Sequence, residues 1–204
     1  MTYAHEFLSK FRDGVASSNR YRVEFFLPRG VNLGGGQLGV NDDARVGQIT
    51  TMQNYFNSKE QVNVKCHTAS FPERNLETYE YRQNSAPFRL PFSSSYGPAS
   101  FTFMADGRFD TRDFFEVWQS AVINISTNTL NFPSEYVSDV TIMALTRDGS
   151  DAYGVKLYEA WPVTIGETSL SYSDADTLAA VTVGMEYKYW SPIFNTQGKN
   201  GSSS

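Results

Sequence analysis

Hydrophobic positions along the chain change period several times, and each change marks an element. Tyr3, Phe7, Leu8 and Phe11 recur at helical spacing and stop at Gly14, which predicts a short N-terminal helix over residues 3–13. From Arg20 the period becomes two. Tyr21, Val23, Phe25 and Leu27 alternate with Arg20, Arg22, Glu24 and Phe26 up to Pro28, the pattern of a strand with one apolar and one charged face. Residues 28–60 break the pattern with the glycine-rich run PRGVNLGGGQLG and read as a long inserted loop, in which Val46, Ile49, Gln53 and Phe56 outline a short helix. Alternation resumes over residues 61–68, with Val62, Val64, Cys66 and Thr68 on one side and Asn63, Lys65 and His67 on the other. It recurs over 76–81, 88–92 and 101–103.

A single later run has the helical period. Phe114, Val117, Trp118, Ala121, Val122 and Ile125 form an apolar stripe, and Asp110 with Asp113 resembles a capping box, so the principal helix is expected at about 111–124. The final third predicts strands at 138–146, 153–163, 167–173 and 178–190, the first two joined by a turn at 147–151. In the last of these, Val181, Val183, Met185, Tyr187 and Tyr189 face the core, and Thr182, Gly184, Glu186 and Lys188 face water. Trp161 has the parity of Val155, Leu157 and Val163, which places it in the core together with Trp118. Residues 195–204 hold no apolar side chain and read as a flexible tail. The expectation is one mainly β domain over 1–194, an antiparallel sandwich or barrel with one principal helix.

Composition narrows the picture. The chain has 204 residues, 40% hydrophobic and 19% charged, enough to bury a core without a metal or disulfide staple. A single cysteine excludes an internal disulfide, no window reaches the ~18 apolar residues of a membrane helix, and residues 1–20 lack a secretory pattern, so folding in a reducing cytosol is expected. A net charge of −5 has the wrong sign for gripping phosphate backbones, and two histidines are too few for a multi-histidine metal centre.

Candidate chemistry is sparse. Gly34, Gly36 and Gly39 fit G-x-G-x-x-G, with Glu60 near the ribose-binding position, but six residues separate them from the preceding strand and the surrounding pattern is antiparallel. Cys66 and His67 are neighbours on a strand, so their side chains point to opposite faces and do not form a thiol–base pair. Asp148 with Asp151, and Asp174 with Asp176, sit in predicted turns, where Asp is favoured for local hydrogen bonding. No catalytic residue, cofactor or metal site is predicted. What remains are polar strand faces carrying Arg22 and Glu24, Lys65 and His67, and Glu186 and Lys188, which read either as ordinary solvated faces or as a wall around water.

Several segments resemble the tail tube proteins of contractile-tailed, T-even-type bacteriophages. The strongest is residues 157–167, LYEAWPVTIGE, similar to that family's Trp-Pro turn followed by Gly-Glu and a strand. Residues 19–24, 66–72, 114–119, 133–136 and 187–190 follow the family's order. The loop at 28–60 is longer than the family's connection between its first two strands. The resemblance implies a structural virion protein without enzymatic activity. Its subunits would form a homo-hexamer, and the hexamers would stack into the inner tube of a tail assembled in the host cytoplasm. Implied partners are the sheath, baseplate and tail-terminator proteins, with the tape-measure protein and DNA as transient occupants. A baseplate tube initiator, the inner tube of a phage-like injection system and, from another class, a monomeric carbohydrate-binding β-sandwich are the alternatives.

Overall fold

The computed structural model describes residues 16–26, 28, 65–82, 86–124, 128–170 and 178–194. The expected helix at 3–13, nearly all of the loop at 28–60, residues 61–64, the pair Asp174 and Asp176, Ile125 and the tail at 195–204 lie outside the described residues.

Strands β1 (Tyr21–Phe25), β2 (Cys66–Ala69), β3 (Arg74–Tyr81), β4 (Phe88–Tyr96) and β5 (Ala99–Met104) precede helix α1 (Asp110–Val122). The short β6 (Ile123–Asn124), β7 (Thr129–Leu130) and α2 (Pro133–Tyr136) lead into β8 (Ser138–Leu145), β9 (Asp151–Ile165), β10 (Ala180–Glu186) and β11 (Tyr189–Phe194). Among the described residues, seven strands form one antiparallel array in the order β1-β8-β9-β10-β5-β2, with β11 paired to β9. The first part of β9 lies between β8 and β11, and its last part pairs with β10. One long strand therefore belongs to two sheets, whose apolar faces enclose the core. The ends of the array approach each other: the Tyr21 hydroxyl on β1 donates to the Cys66 carbonyl on β2 at 3.0 Å. This contact brings the two sheets toward barrel closure on one side, while β11, paired among the described residues with β9 alone, is an edge strand.

Where β9 passes from one sheet to the other it bulges. Val140 pairs with Leu157 but Ser138 pairs with Ala160, so two steps on β8 match three on β9, and Glu159 takes φ 53°. A bulge reverses side-chain parity. Val155 and Leu157 point inward before it, and Ala160 and Pro162 are buried after it. Trp161 is therefore not in the core, contrary to expectation: it is half-buried against the Tyr136 ring at 5.9 Å, and Val163 is exposed.

The run at 178–190 is likewise two strands, broken at Tyr187 and Lys188. Val181, Val183, Met185 and Tyr187 are buried, and the Tyr187 hydroxyl donates to the Gly97 carbonyl at 2.6 Å. Tyr189 pairs with the outward Tyr158, so it stacks on that ring at 4.7 Å on the outside rather than joining the core. The expected strand at 167–173 is absent over residues 167–170. The Gly166 N–H there donates to the Thr182 carbonyl at 2.6 Å, an approach so close that an added Cβ would lie 3.0 Å from that oxygen.

Helix α1 carries the aromatic half of the core. Phe114, Phe115, Trp118 and Val122 are buried; Phe115 lies 5.1 Å from Phe103 and 6.0 Å from Phe25, and it stacks on Trp118. The indole N–H of Trp118 donates to the Tyr136 carbonyl at 2.8 Å, so the largest buried side chain leaves no polar atom unpaired. The N-terminus is not closed by a capping box. Phe109 is the N-cap, at φ 57°, without a side-chain bond, and Asp106 supplies the cap by accepting the Asp110 N–H at 2.9 Å. Asp110 and Asp113 stand in the first turn, where the helix dipole favours negative charge. Asp106 also accepts from the Lys65 ammonium at 2.7 Å, which joins the start of β2 to the helix and holds the carboxyl below the usual range.

Burial pushes the Cys66 thiol and the Tyr187 phenol each up to about 12, and raises Tyr21 in the same direction. From about pH 9 upward the unfolded chain releases these protons and the folded chain keeps them, so folding stability must fall as pH rises. Urea midpoints are expected to decline between pH 9 and 12, and more shallowly in Cys66→Ala. A Cys66→Ala midpoint falling as steeply as the wild type would contradict this account of the thiol.

Candidate functional site

Three surfaces remain outside the core. The first is the outward face of β1, β8, the first part of β9 and β11. Arg22 bridges Glu24 at 3.0 Å and Asp151 at 3.4 Å, and Lys156 pairs with Asp139 at 2.9 Å while lying over the Phe26 and Tyr158 rings. Lys188 bridges Glu159 at 3.2 Å at the end of the same face. These cations are neutralised by carboxylates of their own face.

The second surface is the outward face of β2, β5, β10 and the last part of β9, where Ser100, Thr102 and Thr182 alternate with core residues and Thr164, next to the exposed Val163, lies opposite Gly184. Glu186 is exposed at its end, opposite Trp161, and His67 is exposed where the pairing of β2 with β5 slips by one residue. The six polar residues singled out from sequence are thus not brought together. Arg22 and Glu24 lie on the first face with Lys188 at its rim, His67 and Glu186 lie on the second, and Lys65 sits in the turn before β2, bound to Asp106.

The third surface is an arm. Among the described residues, β3 and β4 pair only with each other, as a two-stranded sheet. Tyr81 lies opposite Phe88, and Tyr79 opposite Leu90 and edge-on to Phe92, so one face of the arm is apolar. Tyr79, Tyr81, Phe88 and Phe92 are all exposed. A two-stranded hairpin is at best marginally stable in water, and a contiguous exposed apolar cluster marks a contact surface. Sequence periodicity locates both strands but not their isolation. The available signal is composition: in RNLETYEY both alternating faces mix charged or polar residues with apolar or aromatic ones, so neither is a clean core face.

The described residues offer little to reaction chemistry. Cys66 is buried with its thiol pushed up to about 12, so it is not a thiolate at neutral pH, and His67 beside it points away. Asp148 stays in the 147–150 turn, its carboxyl lowered by hydrogen bonds within that turn, and Asp151 turns to Arg22. Among the described residues no group of three or more His, Cys, Asp or Glu could hold a metal ion, and no helix is long and apolar enough to cross a membrane.

A family profile described as phage tail tube protein matches residues 16–192. No curated protein matches the sequence. Among solved structures, the chain is similar to the tube-terminating cap of the anti-feeding prophage, at 14% identity and TM-score 0.57, covering 89% of this chain and 92% of that one. It is also similar to a chain of the extended sheath-tube complex of the extracellular contractile injection system PVC, at 14% identity and TM-score 0.52, covering 96% of this chain and 100% of that one. A chain of the anti-feeding prophage baseplate, at 15% identity, TM-score 0.54 and coverage of 88% and 96%, shares the fold as well.

Proposed function

Because the chain belongs to the phage tail tube protein family, we propose that it closes with further copies into hexameric rings, and that the rings stack into the inner tube of a contractile tail. The observation that carries this reading is the β3–β4 arm, whose strands pair only with each other among the described residues and whose apolar face is exposed. The arm's occupant is a second copy of the same protein, in the same or the adjacent ring. Heterologous contacts of this kind close a ring and also place a sheet edge against the next subunit.

The role is structural: a conduit through which a tape-measure protein and then DNA pass, inside a sheath and between baseplate and terminator. A second reading, the inner tube of a phage-like contractile injection system, is supported by the origin of the similar structures. A tube initiator at the baseplate is the third. The carbohydrate-binding alternative is disfavoured by the arm's rings, which meet edge-on at 67° and 68° rather than presenting a flat stacking platform.

Copy number in purified particles separates these roles. The proposal expects many rings of this protein per particle, as counted by quantitative mass spectrometry. A single ring per particle would make it an initiator or terminator.

A further inference from the structure

The two outward sheet faces differ in chemistry. On the second, Thr68 stands opposite Thr102 and Thr102 opposite Thr182, while Ser100 stands opposite Gly184 and Gly184 opposite Thr164. Two rows of hydroxyl-bearing or side-chain-free residues therefore cross the strands, without a charged or aromatic side chain in either. The rows are low in relief. The Thr102 and Thr182 hydroxyls are 3.4 Å apart, and a Cβ added at Gly184 would lie 3.5 Å from the Cβ of Thr164. The first face carries Arg22, Lys156 and their carboxylates together with the Phe26, Tyr158 and Tyr189 rings.

A polyanion or an extended polypeptide moving along a wall is retarded by whatever grips it. Lysine and arginine hold phosphates by counterion release, and exposed aromatic rings hold unpaired bases by stacking. Threonine and serine hydroxyls exchange hydrogen bonds with water at little cost and grip neither. We infer that the Thr68–Thr102–Thr182 and Ser100–Gly184–Thr164 rows line the lumen of the tube. This assignment rests on the tube reading and extends it to named wall residues.

The test uses assembled full-length Thr182→Cys tubes, with the wild type as control for the buried Cys66. In assembled tubes the introduced thiol should react with a small biotin maleimide that diffuses through the channel. Streptavidin, too large to enter, should then decorate only tube ends, and should bind fully once the tubes are dissociated. Streptavidin along the shaft would put this face on the outside, and failure to react with the small maleimide would put it in a subunit interface. Either result overturns the assignment and leaves the tube intact. If neither Thr182→Cys nor Thr102→Cys assembles but the wild type does, the rows are packing surfaces and the assignment also falls. A wild type that forms no tubes removes the reading beneath it.

Discussion

Trp118→Ala is expected to lower the unfolding free energy by about 3–5 kcal/mol. Trp118 is fully buried, contacts the Phe114 and Phe115 rings and donates to the Tyr136 carbonyl. Truncation thus leaves a cavity where α1 meets the barrel and strips a carbonyl of its partner. Against a total stability of roughly 5–15 kcal/mol, such a loss leaves a marginal fold. Trp161→Ala provides the contrast: the residue is half-buried beside Tyr136, so its truncation should cost clearly less. Urea denaturation of both variants is the measurement. Equal losses, or a Trp118→Ala protein that unfolds with the wild-type midpoint, would mean that the helix is not the keystone of the core.

The second large effect concerns assembly rather than folding. Phe92→Asp replaces a ring that is 63% exposed in the monomer, so the subunit's unfolding transition should shift by no more than about 0.5 kcal/mol. If the apolar face of the arm is covered by another copy, the same change buries an unpaired carboxylate at every copy of that contact. Desolvating such a charge costs several kcal/mol per site. Rings or tubes should be lost entirely while the monomer remains folded. Phe92→Leu, which keeps the apolar contact, should assemble. Phe92→Asp subunits that assemble like the wild type would show that the arm lies free in the particle.

Much of the fold is legible in the sequence because the core keeps its period. Val23 and Phe25, Phe114 and Trp118, and the Val181–Val183–Met185 run are buried on the faces that alternation or helical spacing assigns. Legibility ends where the backbone changes parity without a change in composition. LYEAWPV reads as continuous alternation, yet Glu159 at positive φ turns Trp161 outward, and no residue type in the segment demands that conformation. Tyr189 misleads for the same reason, since its face is set by its partner Tyr158 and not by the run that precedes it. Phe115 falls outside the predicted stripe but is buried because the helix contacts core on a wider arc than one row. The arm and the threonine rows were out of reach on different grounds. Periodicity reports that a strand exists, whereas isolation and cross-strand register are tertiary facts.

The central claim is that this chain is an assembling tube subunit, and electron microscopy of the concentrated, purified wild-type protein tests it most directly. The account predicts hexameric rings or stacked tubes with an open lumen, absent from the Phe92→Asp preparation. A wild-type protein that stays monomeric at every concentration, with or without a sheath protein, would contradict it.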